Sequence, residues 1–486
     1  VIDERLFREH VAHHGLNRRR MLERTASGFG SLALAYLMNQ SQAADGSDSG
    51  IDPLAPKPTH HPARAKACIM LFMCGGPSQI DLFDPKPTLT KYDGQRLPKS
   101  FRGIETQFLR DTDVIMSSRR KFAKRGQSGI EISDFLPHTA TIADDIAVIR
   151  SCHSDSFIHE TAQYQLMSGR IVGGHPSLGS WLGYGLGCET RDLPSYVVLL
   201  SKFGATEAGK PLWSSGYLPV VYDGTVFRGG QRPLDNLAPP PGISAQRQQA
   251  ILRNVLDLNR ATSSAEDTEL SARIASYELA FRMQSAAPDA VDLARESAET
   301  LALYGVNEEP TDHFARQCLM ARRLVERGVR FVLVLASGGS SENQWDAHSD
   351  LEENHGRMAG LTDKPTAALV KDLKRRGMLD ETLVVWGGEF GRTPLSEGKG
   401  GGKGRDHNPH GYSMWLAGGG VKGGTTYGAT DEIGLYAVEK KTHVRDIHAT
   451  ILHTMGLDHH KLEVLHDGRF ERLTDIGGHV IEEILA

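Results

Sequence analysis

Thr382–Pro394 reads TLVVWGGEFGRTP. Leu383 to Trp386 are apolar without alternation, stop at Gly387 and Gly388, and deliver Glu389, Phe390 and Arg392. Unbroken apolarity over so short a run fits a strand covered on both faces, as in a parallel sheet, whereas a strand with one wet face alternates. The same grammar recurs in Ala67–Met73 (ACIMLFM), Ile146–Arg150 (IAVIR), Tyr196–Leu200 (YVVLL), Arg330–Ala336 (RFVLVLA) and Ser413–Ala417 (SMWLA). Helical patterns lie between several of these runs. Ala315–Gly328 places Cys318, Leu319, Ala321 and Val325 on one face and ends in glycine, and Thr366–Gly377 repeats the form just before the Glu389 strand. The pattern predicts a doubly wound or related three-layer α/β fold with a mainly parallel central sheet. Residues 243–298, rich in helix formers and poor in strand signals, predict a helical insertion beside the sheet.

A chain of 486 residues, 39% hydrophobic and 24% charged, supplies a large core for one α/β domain or two smaller ones. Its formal net charge of -5 offers no concentrated basic surface for nucleic acid. Cys68, Cys74, Cys152, Cys188 and Cys318 form neither a CxxC pair nor a regular framework, which argues against a zinc knuckle or a disulfide scaffold and leaves one bridge open. Residues 17–46, NRRRMLERTASGFGSLALAYLMNQSQAADG, set consecutive arginines before a short, weakly apolar stretch and small residues. That is the layout of a twin-arginine export signal over residues 1–45; an amphipathic helix with a basic start is the alternative. The apolar stretch is shorter than the ~20 residues that span a bilayer. The expected organisation is therefore an export signal, a loose linker over 46–62 and a domain over 63–486, placed outside the cytoplasm.

In open α/β sheets, ligands bind beyond the carboxyl ends of the strands. RFVLVLA is followed by Asp346 and His348, and LVVW by Glu389 and Arg392. GRDHNPHGY, with Asp406, His407 and His410, precedes SMWLA; ACIMLFM is followed by Ser78, Asp81 and Asp84, and IAVIR by His153, Asp155, His159, Glu160 and Thr161. Carboxylates and imidazoles so gathered suit a divalent ion. Each piece also has a plainer reading. Asp346 and His348 fit a helix cap, Glu389 and Arg392 a buried ion pair, Asp406 an ordinary loop polar residue, and His159 a satisfied core histidine.

LFMCGGPSQIDLFDPKP, HPSLGSWLGYGLG, WDAHSD, GGEFGRTP, GRDHNPHGYSMWLAGGGVKGGTTYGATD and DIHATILHTMGLDHHKL, spread from Cys68 to Val480, resemble the bacterial domain-of-unknown-function 1501 family. The resemblance implies the alkaline phosphatase and sulfatase superfamily, whose members hydrolyse or transfer phosphate and sulfate esters at one or two metals. It implies Asp346, His348 and His407 around one ion, with Glu389 and Asp406 in or behind the ligand set. Glu389 and Phe390 stand where phosphatases carry Asp-His, which leaves a second metal position short of ligands. HETAQYQLMSGR resembles the sulfatase nucleophile helix, with His159 where the modified cysteine would be and Thr161 two residues on. The expectation is one zinc, manganese, magnesium or calcium ion, with His159 as nucleophile or general acid, Thr161 as a hydroxyl alternative, and Arg392 clamping the substrate anion. The expected function is hydrolysis of a small-molecule or polysaccharide phosphate or sulfate ester. The alternative is a non-catalytic, metal-stabilised binding or structural module.

Overall fold

A computed structural model of the chain describes residues 52–98, 114–228, 243–262, 268–397 and 402–486. The export-signal reading of residues 1–45 lies outside them. All six apolar runs are strands of one sheet: β1 (Ala67–Phe72), β2 (Ile146–His153), β3 (Tyr196–Leu200), β5 (Phe331–Leu335), β6 (Thr382–Gly387) and β9 (Tyr412–Ala417). Short strands β4 (Thr225–Arg228), β10 (Thr425–Tyr427) and β11 (Thr442–His443) extend it, and β7 (Gly391–Glu397) and β8 (Gly404–Asn408) form a separate antiparallel pair. The order is β10-β2-β9-β6-β1-β5-β3-β4, with β11 on β2. Every residue of β1, β5 and β6 is buried, so these strands are covered on both faces, as their unbroken apolarity predicted.

One strand departs from the parallel expectation in a way that matters. β9 runs antiparallel to both β2 and β6, while β1 is parallel to β5 and β6, and β3 to β5. Residues that precede β9 therefore emerge at the edge where β2, β5 and β6 end. His407 reaches the carboxyl edge of the sheet because its strand is reversed.

Among the helices are α1 (His159–Ser168), α2 (Leu178–Leu186), α3 (Ala245–Thr262), α4 (Thr268–Val291), α5 (Asp312–Glu326), α6 (Leu351–Arg375) and α7 (Val444–Thr454). α3 and α4 occupy the expected helical insertion, and α4 turns Ala272, Ala275, Leu279, Met283, Ala287 and Ala290 inward. α5 buries Cys318, Leu319, Ala321 and Val325 as its spacing requires. α6 starts well before Thr366. Asp350 caps it by accepting the Glu353 N–H, and the helix continues through Pro365.

Within the segment expected as a linker, residues from Asp52 onward make contacts: Leu54 is buried, the Lys57 N–H donates to Leu186 O at 2.9 Å, and Lys57 Nζ donates to Tyr184 O at 2.7 Å. The possible disulfide is absent; all five cysteines are buried and free.

Candidate metal centre

Asp346 lies beyond β5, between Trp345, which is fully buried, and Ala347. Its plainer role as a helix cap is taken by Asp350. Four cationic or imidazole groups converge on one of its oxygens. Arg392 Nη2 donates to Asp346 Oδ1 at 2.7 Å, and the Nε2 atoms of His348, His407 and His159 stand 2.9, 3.2 and 3.4 Å from it. Each comes from a different part of the chain. His159 opens α1 after β2, His348 follows β5, and His407 lies on β8. His407 is paired in register with Arg392 on β7, so the β7–β8 pair delivers both to Asp346. The register shifts between Arg405 and His407, an irregularity of the kind that re-aims side chains beside sites.

The other nitrogen of each imidazole is held. His159 Nδ1 donates to Glu389 Oε1 at 2.8 Å, His407 Nδ1 to Phe157 O at 2.6 Å, and His348 Nδ1 to Glu397 Oε2. Metal-binding histidines are oriented in this way: the outer N–H goes to a carboxylate or carbonyl, and the inner lone pair faces the ion. The inner atoms fit an ion and fit each other poorly. His348 Nε2 and His407 Nε2 are 2.9 Å apart, and His159 Nε2 is buried without a hydrogen bond. His159, Asp346, His348 and His407 each present a ligand atom within 4.8 Å of the others. One carboxylate and three imidazoles suit zinc or manganese.

Without an ion, the same convergence sets where protons sit, and an ion that took the Nε2 atoms would have to displace them. Burial raises the Asp346 carboxyl, but Arg392 and the three imidazoles more than reverse it and hold it far below the ordinary range. Burial lowers His159, yet Asp346 and Glu389 outweigh it and push the group up to about 9. His348 also rises, since bonds to Asp346 and Glu397 overcome its burial. His407 goes the other way, to about 3, because burial, Arg392 and the charge of His159 outweigh Asp346. A pocket in which His159 and His407 move apart so far holds strong opposing fields in a small volume.

The remaining candidates take different places. Glu389 is fully buried and stands behind His159, accepting the Gly75 N–H at 3.0 and 3.2 Å as well as the imidazole. Arg392 pairs with Asp346 and also donates to Gly75 O, Gly76 O and Arg405 O. Asp406 is buried, accepts its neighbour's N–H at 2.7 Å, and groups with His348 and Glu397. Thr161 is the third residue of α1, its hydroxyl 2.5 Å from that of Ser156 and donating to Ile158 O at 3.1 Å. Phe390 is buried against the cluster, 4.9 Å from the His159 ring and 4.5 Å from that of His407. Asp81 is locked to Arg405 at 2.9 Å, and Asp84 to Lys86 at 3.0 Å.

Glu397 escaped sequence reading. It closes a β7 segment whose pairing with β8 sets its neighbour in space, and no local pattern marks it. Glu207, on the segment after β3, and Gln163, on α1, escaped too. Gln163 Nε2 bridges Glu207 and Glu389 at 3.0 and 3.3 Å, and only its place four residues after His159 hints at a shared helix face.

No curated protein matches the sequence. Among solved structures, i-CgsB in complex with k-i-k-neocarrahexaose is 12% identical, with a TM-score of 0.35, over 82% of this chain and 72% of that one. The lipoteichoic acid synthase LtaP from Listeria monocytogenes is 10% identical, with a TM-score of 0.34, over 84% and 76%. A protein in the alkaline phosphatase superfamily from Vibrio parahaemolyticus is 9% identical, with a TM-score of 0.33, over 85% and 72%. At these scores the likenesses carry no argument about activity. The family described as Protein of unknown function (DUF1501) matches residues 65–485, from the start of the sheet almost to the last residue, and the chain belongs to that family.

Proposed function

We propose that the protein is an exported metal-dependent hydrolase of phosphate or sulfate esters, centred on Asp346, His159, His348 and His407. The observation that carries this reading is the convergence of three imidazole Nε2 atoms on Asp346 Oδ1 while every Nδ1 is held from outside. The ester class comes from the sequence resemblance to the phosphatase and sulfatase superfamily.

A divalent ion bound there would supply Lewis acidity at an ester oxygen and acidify water. The protein's own groups prepare the place. Asp346 contributes the charge, and Arg392 fixes its orientation through a buried, charge-assisted bond. Glu389 and Glu397 hold His159 and His348 in the tautomer that leaves Nε2 bare. Phe390 covers two of the rings and keeps water from that side. In this reading His159 is a ligand and not a nucleophile, and Glu389 orients it and is not a ligand.

A second reading, a metal-stabilised binding or structural module, is favoured by the fate of two expected catalytic groups. Arg392 is fully buried and engaged by four oxygens, and the Thr161 hydroxyl is tied to Ser156 and Ile158. The test is elemental analysis of protein purified without chelators, then turnover of aryl phosphate and aryl sulfate esters with zinc, manganese, magnesium and calcium. Stoichiometric metal with turnover that His159→Ala and His407→Ala both abolish supports the hydrolase. Stoichiometric metal without turnover on any ester supports the module.

A further inference from the structure

His159 is the first residue of α1, and the helix begins on an exposed Ile158 with no side-chain cap. A first turn without a cap leaves its N–H groups unheld and depends on contacts from outside. Gln163, fully buried one turn along the same face, makes such contacts in three directions. Its Nε2 donates to Glu389 Oε1 at 3.3 Å and to Glu207 Oε2 at 3.0 Å, and its Oε1 accepts the Ala208 N–H at 3.3 Å. Glu207 is exposed and needs no partner but water, yet its other oxygen, Oε1, takes a second fully buried amide, Gln344 Nε2 at 2.6 Å.

The far side of that bridge is firmly placed. Gln344 stands two residues before Asp346, and between them Trp345 is fully buried with its N–H donating to Cys74 O at 2.9 Å. Asn354 Nδ2, on α6, donates to Gln344 O at 2.9 Å and to Asp346 O at 3.3 Å, so one side chain holds both residues. The stretch that carries Glu207 is fixed to the same segment: the Gly339 N–H donates to Ala205 O at 2.8 Å, and a Cβ at Gly338 would stand 2.4 Å from Gly204 O. A single carboxylate thus reaches the helix that carries His159 through one oxygen, and the segment that carries Asp346 and His348 through the other.

Resting on the metal reading of that cluster, we infer that Glu207 is a positioning residue of the centre: a carboxylate clip that fixes His159 on α1 against Asp346 and His348 on the segment after β5. It acts through Gln163 and Gln344 and not on a ligand atom. The two segments meet at His159 Nε2 and Asp346 Oδ1, 3.4 Å apart. With the clip in place an ion finds its ligands at that spacing; without it, each binding event must first draw α1 in. Preorganisation of this kind separates a tight centre from a loose one.

The experiment uses the intact chain and zinc alone, by competition with a chromophoric chelator at pH 7.5 with circular dichroism to confirm the fold, and then cobalt in place of zinc, whose visible absorption reports ligand geometry. Glu207→Ala removes both ties and should weaken zinc by about tenfold and change the cobalt spectrum, as loss of an orienting partner does. Glu207→Gln, of equal size, has one accepting oxygen and keeps one tie, so its loss should be smaller. Glu160→Gln removes a charge next to His159 without touching the clip and should bind zinc as the wild type does. The inference is overturned, with the metal centre standing, if the wild type binds zinc and Glu207→Ala, or Glu207→Gln where the alanine variant does not fold, matches it in affinity and cobalt spectrum. It is overturned likewise if Glu160→Gln weakens zinc as much as Glu207→Ala does. A wild type that takes up neither metal overturns the metal centre and the clip together.

Discussion

Glu389→Gln removes one charge and almost no volume from behind His159. The buried carboxylate receives the His159 Nδ1–H at 2.8 Å, the Gly75 N–H at 3.0 and 3.2 Å, and the Gln163 amide at 3.3 Å. All its neighbours are donors. Oε1 takes all three donors and Oε2 only the Gly75 N–H at 3.2 Å, so a carboxamide oxygen in the place of Oε1 keeps the bond to His159 while the new NH2 faces the Gly75 N–H. The imidazole then keeps an acceptor but loses the anion that strengthens its inner lone pair. Loss of an outer-shell partner of this kind costs about 10- to 100-fold in metal affinity, or roughly 1.4–2.8 kcal/mol. The assay is competition for zinc against a chromophoric chelator at pH 7.5, with circular dichroism of both proteins to confirm equal folding. A folded Glu389→Gln protein with wild-type zinc affinity would refute the assignment of Glu389 as the group that orients a metal-binding His159.

Arg392→Met leaves Asp346 as a buried charge without its guanidinium, and chelator-treated protein should lose about 3–5 kcal/mol in urea unfolding; a loss under 1 kcal/mol would show that Asp346 is held by other means. Thr161→Val and Asp84→Ala should leave metal stoichiometry unchanged by elemental analysis, since neither side chain reaches the cluster. Burial holds His355 down to about 3 and His448 to about 4, and both are fully buried with the ring accepting the Ser78 N–H in one case and bonded to Leu166 O in the other. Because folding lowers both values from about 6.5, their neutral forms cost no stability above pH 6.5, and the charging penalty grows as pH falls toward 3–4. At pH 4.5 the two together should cost about 5 kcal/mol relative to pH 8. Replacing His355 with glutamine should flatten part of that slope in denaturant titrations, and an unchanged slope would exclude His355 as a source. Replacing Arg18, Arg19 and Arg20 with lysine should keep the precursor in the cytoplasm, because twin-arginine recognition depends on guanidinium groups; mature protein accumulating outside, followed by fractionation, would reject the export reading.

Unbroken apolarity in six short runs was enough to find the six principal strands, because a strand covered on both faces has no polar position to hide. The rule that ligands gather at strand ends placed Asp346, His348 and His407 among many acids and imidazoles at one edge, and the family resemblance picked the three out as implied ligands. What the sequence could not contain was direction and pairing. β9 is reversed, and only that reversal brings His407 to the edge where β5 ends. The registry of β7 with β8 sets His407 opposite Arg392 and turns an expected substrate clamp into a buried partner of Asp346. Glu389 was legible as an acid at a strand end, but its place depends on packing: α1 puts His159 between it and Asp346, so the histidine faces the centre and the acid stands behind. Residue type and spacing report burial and local geometry over a few positions. Which nitrogen of an imidazole points inward, and which carboxylate holds the other, is decided by contacts between segments hundreds of residues apart, and those exist only once the sheet has closed.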